Sequence, residues 1–277
     1  MKLTKWGRIG SSKQDGAVVT KILSLAAHKG GVGKTTTTVL LAHYLSSNGY
    51  KVLVVDNDAQ GNTTSVLTLN PDGTYVPFST IITADLYQEG LDGSVEPIHC
   101  SYGIDVIPCP ANCDRFRQLS SEHIKTPWIF SDNLNDLCQQ YDVVLIDCSS
   151  NYSNNVNAAL VLSTHVLCPV KMTGHGIDGV LGLMKTISEV QSRHNHELKF
   201  LGCFLNLMES RGKRIQENSN RLREALGDDM LKNVLHRRPP IDTIQDEGGT
   251  LAELGYAHVA VKEVNQLMEE IVERLYA

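Results

Sequence analysis

The sequence predicts an α/β protein with a mostly parallel, twisted sheet and helices on both faces. Three observations carry that reading. From residue 18 onward, short β-rich runs alternate with helical stretches, and strand–helix–strand alternation places successive strands side by side and parallel. The run at 51–55 is continuously apolar after Lys51, the run at 143–146 is apolar throughout, and the run at 104–107 is broken only by Asp105, as expected of strands buried on both faces. The chain has 277 residues, with no internal repeat and no convincing linker. That length suits one domain with a large core, here 18–277 after an N-terminal extension at 1–17.

The elements follow in order. Residues 18–26 form a first strand, rich in Val, Ile and Leu. A glycine-rich turn comes next, then a helix over 35–47. Asn48-Gly49 stops that helix, because these two residues tolerate the left-handed conformation of a helix end. Residues 51–55 form the second strand and run into Asp56. The segment 61–100 is irregular and rich in Thr, Gly and Pro, which reads as an excursion at the ligand edge of the sheet. Further strands are expected at 104–107, 143–146, 164–170 and 199–205, with a helix over 179–192. Apolar residues at 261, 264, 267, 268, 271, 272 and 275 mark one stripe of a last helix.

Composition excludes several classes. With 42% apolar and 20% charged residues, the chain is neither disordered nor fibrous. No apolar run reaches the roughly 18 residues of a spanning helix. The first 16 residues are weakly basic but lack the apolar region of a secretory signal. The formal net charge of -6 argues against a surface that binds nucleic acid all over, though it permits a local basic patch. The seven cysteines are odd in number, widely spaced and contain no C-x-x-C. They read as reduced thiols, many of them in the core.

The strongest chemical signal is Ala26-Ala27-His28-Lys29-Gly30-Gly31-Val32-Gly33-Lys34-Thr35-Thr36, between the first strand and the first helix. Wrapping backbone N–H groups around an anion at tight radius needs glycines, and Gly30, Gly31 and Gly33 supply them. Lys34 is placed to reach outer phosphates, and Thr35 offers a hydroxyl for Mg²⁺ at the start of the helix, whose N-terminus itself attracts anions. The usual phosphate loop has Gly where this chain has His28, and a second lysine, Lys29, opens the loop.

These residues resemble the deviant Walker A box of the ParA/MinD superfamily of ATPases, and the likeness extends over about residues 20–260. Asp56-Asn57-Asp58-Ala59-Gln60-Gly61-Asn62 is similar to the D-x-D-P-Q-G-N box of ParA-type partitioning ATPases, with Ala59 in place of Pro. Tyr141 to Asp147 looks like a Walker B strand, followed by Cys148-Ser149-Ser150 where the family has x-Pro-Pro. The resemblance implies a single-domain P-loop NTPase that uses ATP and Mg²⁺. It implies that Lys29, Gly30, Gly31, Val32, Gly33, Lys34, Thr35 and Thr36 cradle the nucleotide. Asn206 would read adenine through its amide. Thr35, Asp56 and Asp147 would serve the metal, Asp58 would orient the attacking water, and Lys29 would cross a sandwich homodimer to the partner's phosphates. Gly30 would have to be small because the partner comes close. Without an internal arginine finger, intrinsic hydrolysis would be slow.

Three branches of the superfamily are distinguishable. A MinD-like membrane-associated ATPase carries a basic amphipathic helix. Here the last helix has Glu263, Glu269, Glu270 and Glu273 on its polar face against Lys262 and Arg274, so it is expected to dock on the core, away from anionic lipid. An iron–sulfur reductase would need cysteines placed to bridge a dimer, and the spacing here does not fit. ParA proper is favoured by the Asp56/Asp58 box. It implies nonspecific DNA binding by the ATP-bound dimer, a ParB-type partner that stimulates hydrolysis, and a cytoplasmic, nucleoid-associated location with no membrane contact. Because no helix-turn-helix domain precedes the loop, the likeness is to the short form. Between residues 209 and 238, eight basic residues stand against five acidic ones. Arg211, Lys213, Arg214, Arg237 and Arg238 are the candidate phosphate contacts to DNA, with Lys2, Lys5, Arg8 and Lys13 as further basic candidates.

Overall fold

The computed structural model describes residues 19–78, 81–91, 94–121, 126–150, 153–172, 176–208 and 213–277. The extension at 1–17, its basic residues and Arg211 lie outside them. Among the described residues, seven strands form one sheet: β1 (Lys21–Leu25), β2 (Val52–Asn57), β3 (Ile98–Cys100), β4 (Ile104–Ile107), β5 (Val143–Cys148), β6 (His165–Lys171) and β7 (Lys199–Asn206). The spatial order is β3-β4-β2-β5-β1-β6-β7. All pairings are parallel except β3 with β4. β2 and β5 are buried along their whole length, which accounts for their apolar runs at 52–55 and 143–146.

The helices are α1 (Lys34–Ser47), α2 (Asn62–Leu67), α3 (Asp114–Ser121), α4 (Trp128–Cys138), α5 (Asn154–Leu162), α6 (Gly176–Arg193), α7 (Lys213–Leu226), α8 (Pro239–Glu247) and α9 (His258–Tyr276). They divide between two apolar layers. α4, α5 and α6 cover one face of the sheet through Phe130, Leu134, Ala159, Leu183 and Ile187. α1, α8 and α9 cover the other through Leu41, Leu45, Ile241, Leu267 and Ile271.

The irregular segment 61–100 contains more structure than its composition suggests: α2, a 3-10 turn at Thr83–Tyr87 and the edge strand β3. α2 is short, and its Thr-rich sequence has no 3.6-residue apolar repeat to announce it. β3 has three residues, too few for a period to show. At the end of α1, the Asn48 N–H bonds back to Tyr44 O, and Gly49 takes the left-handed turn with φ 81°.

α9 lies on the core as its stripe implies, with Val264, Leu267, Met268, Ile271 and Leu275 all buried. Its polar face also ties down the neighbouring loop, where Glu270 accepts from Lys232 N at 2.7 Å and Asn233 N at 2.8 Å. Leu267 is fully buried. Leu267→Ala is therefore expected to lower unfolding stability by about 2–5 kcal/mol, since the cavity collapses only in part. Denaturant titration would show this as a lower midpoint at unchanged slope.

Candidate functional site

The C-terminal ends of β1, β2 and β5 lie side by side, the position where ligands meet an open α/β sheet. The phosphate loop leaves β1, the Asp56–Asn62 box leaves β2, and Asp147, one residue before the end of β5, is in direct register with Asp56. Three segments far apart in sequence therefore converge because three buried strands are neighbours.

Gly31 and Gly33 have φ of 67° and 87°, a backbone conformation that L side chains rarely adopt. A Cβ on Gly33 would also run into the Asn206 amide. Among the described residues, a Cβ on Gly30 would meet only Ser150, its Oγ at 3.6 Å, an ordinary contact that does not demand glycine.

Lys34 is buried, and its ammonium donates to Ser150 Oγ at 3.1 Å. The segment Cys148-Ser149-Ser150 thus supplies a hydroxyl that holds the lysine at the loop. Ser150 was not among the residues expected from the sequence. Its signal was the departure from x-Pro-Pro, since a proline has no donor or acceptor side chain to offer.

Thr35 Oγ1 donates to Asp147 Oδ2 at 2.7 Å, and Thr63 Oγ1 donates to the same oxygen at 2.5 Å. Asp147 Oδ1 is buried with no hydrogen-bond partner among the described residues. Asp56, fully buried, accepts from Thr64 N at 2.8 Å and Thr64 Oγ1 at 2.7 Å, and from Asp58 N at 3.3 Å. Burial pushes the Asp56 carboxyl well above the usual range, and the neighbouring Asp147 carboxylate adds to the shift. Burial also raises Asp147, opposed by the hydroxyls of Thr63 and Thr35 and by the Lys34 charge. Two desolvated carboxyls, one with an unmatched oxygen, fit a hard divalent cation that takes oxygen ligands. Among the described residues no group of three or more His, Cys, Asp or Glu could hold a metal. The fitting donors are the Thr35 hydroxyl and Asp147, few protein ligands, as is usual for Mg²⁺. Asp56, in register with Asp147, is bonded through Oδ2 to Thr64 at the N-terminus of α2.

Thr63 and Thr64 are further residues that the sequence reading did not single out. They lie inside the irregular segment, and only the fold brings their hydroxyls to Asp147 and Asp56. Asp58 is partly buried, and its Oδ1 accepts from Gln60 N at 3.0 Å, an Asx turn that fixes the carboxylate's direction. Lys29 is half-buried at the mouth of the loop.

Asn206, at the end of β7, is fully buried. Its Nδ2 donates to Val32 O at 2.8 Å and its Oδ1 accepts from Leu207 N at 2.8 Å. The amide braces the phosphate loop from behind, so reading adenine would require it to share or exchange these bonds.

The basic candidates separate by environment. Lys213 and Arg214 open α7. Arg237 extends into solvent, 71% exposed, with Asp242 at 3.8 Å. Arg238 instead forks onto Glu263 of α9 at 3.0 and 2.5 Å, and His236 approaches the same carboxylate at 3.1 Å. The guanidinium holds Glu263 below the ordinary carboxylate range. The charge of Arg238 is largely answered within the chain, and Arg237 is the more available of the two. Arg223 is likewise occupied, donating to Leu231 O and Lys232 O at 3.2 Å each. Among the described residues no helix is long and apolar enough to cross a membrane.

Known proteins resemble this chain in sequence and in fold. A family described as an AAA domain matches residues 20–200. The chain is 30% identical to the chromosome-partitioning ATPase Soj of Thermus thermophilus, over 91% of its own length and 96% of that protein. It is similar in structure to a cobyrinic acid a,c-diamide synthase of Mycobacterium smegmatis, solved with a bound ATP analogue and magnesium. That likeness has 27% identity and a TM-score of 0.66, over 82% of this chain and 92% of that one. It also shares its fold with a putative plasmid partition protein of Borrelia burgdorferi bound to AMPPNP, with 21% identity and a TM-score of 0.74, over 92% and 98% of the two chains.

Proposed function

Since this chain belongs to the ParA-type partitioning ATPases, we propose that it segregates plasmid or chromosomal DNA through an ATP-driven homodimer that binds DNA without sequence preference and lets go on hydrolysis. The observation that carries the reading is the convergence of Lys34, Thr35, Asp147 and the Asp56/Asp58 box at one sheet edge, with a second lysine, Lys29, in the same loop.

ATP and Mg²⁺ are the cofactors of this site. Lys34 and the loop's N–H groups hold the outer phosphates, the ammonium's two further N–H donors being available beside its bond to Ser150. Thr35 and Asp147 would hold Mg²⁺, which would supply positive charge against the phosphate oxygens. Asp58 orients the attacking water. Asp56 keeps α2 and the box in place through Thr64. Lys29 reaches the partner's phosphates, and the partner's approach is what makes Gly30 necessary. Intrinsic turnover is slow and a ParB-type protein accelerates it. The ATP-bound dimer acts on the nucleoid in the cytoplasm, with Arg237, Lys213, Arg214 and Arg211 as phosphate contacts to DNA and Arg238 in a supporting place beside them.

A MinD-like reading, in which the protein binds membrane to position a cargo, needs an amphipathic helix free to meet lipid. The apolar side of α9 is buried against the sheet, which favours the DNA reading.

The test is retention of nonspecific DNA with ATP, with ADP and without nucleotide, over a salt series. Binding is expected only with ATP, with log affinity falling against log salt at a slope of about −0.9 per phosphate neutralised. Equal binding in all three states would overturn the switch. Flotation with anionic vesicles in place of DNA retention would favour the membrane reading.

A further inference from the structure

His28 stands where phosphate loops usually have glycine, directly before Lys29. Its imidazole packs against α6. Nε2 lies 3.2 Å from Thr186 Oγ1, and a Cβ on Gly182 would come within 2.8 Å of Nδ1. A glycine inside a helix lowers stability by roughly 1 kcal/mol relative to alanine, yet α6 has one where the ring seats. Thr186 is 1% exposed, and its hydroxyl donates to Gly182 O at 3.2 Å, which leaves its lone pairs for an Nε2–H of the neutral ring. Burial lowers the His28 pKa, in keeping with a neutral imidazole there. A small, largely apolar gap lies beside the ring, among Ala27, His28, Lys29, Val32, Gly179 and Val180.

We infer that His28 is a positioning residue for Lys29: its ring, keyed into the notch at Gly182 and bonded to Thr186, fastens the start of the phosphate loop to α6 and sets the direction in which the lysine stem leaves it. The inference rests on the proposed reach of Lys29 across a dimer. Lys34 and Thr35 are anchored separately, through Ser150 and Asp147. Loosening His28 therefore affects the steps that need Lys29 and spares nucleotide capture.

The experiment uses the full chain and the variants His28→Ala, Thr186→Val, their combination, His28→Gln and Lys29→Gln. ATP affinity, ATP-dependent dimerisation and turnover at saturating ATP are measured for each. Thr186→Val nearly keeps the side chain's shape, so it tests the bond without emptying the site. In His28→Ala and Thr186→Val, ATP Kd is expected to stay within about twofold, while dimerisation and kcat fall about tenfold, which corresponds to about 1.4 kcal/mol. The double variant is expected to be no worse than His28→Ala, because both remove one interaction. His28→Gln, whose amide can donate to Thr186, is expected to recover most of the loss. A defective Lys29→Gln beside wild-type behaviour of His28→Ala and Thr186→Val would overturn the inference and leave the proposed function standing. Loss of ATP affinity in step with kcat, or additive losses in the double variant, would also overturn it. Wild-type behaviour of Lys29→Gln would overturn both.

Discussion

Asp58→Ala is expected to bind ATP and dimerise like the wild type but to turn over about 10²–10⁴-fold more slowly, the usual contribution of a positioned acid–base group. The expectation comes from how the two carboxylates of the box divide their work. Asp56 is fully buried and bonded to Thr64 and Asp58 through backbone and hydroxyl groups. Replacing it would release α2 and disturb the site as a whole. Asp58 is only partly buried, and one of its oxygens is fixed by Gln60 N. The carboxylate is thus held in direction while its other oxygen can face a water. Alanine removes that turn as well as the carboxylate, so Asp58→Asn is the informative companion. It can keep the bond to Gln60 N while lowering the group's basicity, and it should be nearly as slow. Equilibrium ATP binding, sedimentation and single-turnover hydrolysis on the two variants decide the matter. Normal turnover in either would remove Asp58 from the mechanism.

The parts of this site that could be read from sequence share a property. Gly31, Gly33, Lys34, Thr35 and Asp147 sit at fixed offsets from a strand end or a helix start, so spacing along the chain implies geometry. The sheet was legible for a similar reason, because buried parallel strands such as β2 and β5 carry unbroken apolar runs at 52–55 and 143–146. Thr63, Thr64 and Ser150 were not legible. Each acts by a single hydroxyl whose partner is 8 to 116 residues away in sequence, with no repeat or composition to mark it. Asn206 was visible as an amide at a strand end, but not as a brace on Val32, because that bond depends on β7 lying two strands from β1. Basic residues show the converse. Charge counted along 209–238 weighs Arg237 and Arg238 alike, whereas the packing of α9 places Glu263 on one and leaves the other exposed.

Lys29→Gln is expected to bind ATP yet lose productive dimerisation, with kcat falling about 10³-fold or more, the scale at which a cation supplied to a transferring phosphoryl group acts. The physical basis is charge placed where a second subunit brings its phosphates. Lys34 is buried beside Ser150, while Lys29 opens the loop next to Gly30, where among the described residues an added Cβ would make only an ordinary contact with Ser150. Glutamine keeps most of the side chain's length and a donor but removes the charge. Turnover alone would not show whether the lysine serves its own site or its partner's, but mixing two defective variants does. Combine Lys29→Gln with Asp58→Ala. In a mixed dimer, the site on the Lys29→Gln subunit keeps its own Asp58 and receives an intact Lys29 from the other subunit. Each mixed dimer restores one of two sites, so recovery is expected to rise above the sum of the two variants, to about a quarter of wild-type turnover where equal amounts pair at random in a two-fold symmetric assembly. A lysine that acts within its own subunit leaves each site short of one essential group, and the mixture stays at the sum of its parts. Recovery on mixing would place Lys29 across the interface, and its absence at confirmed subunit exchange would return it to its own loop.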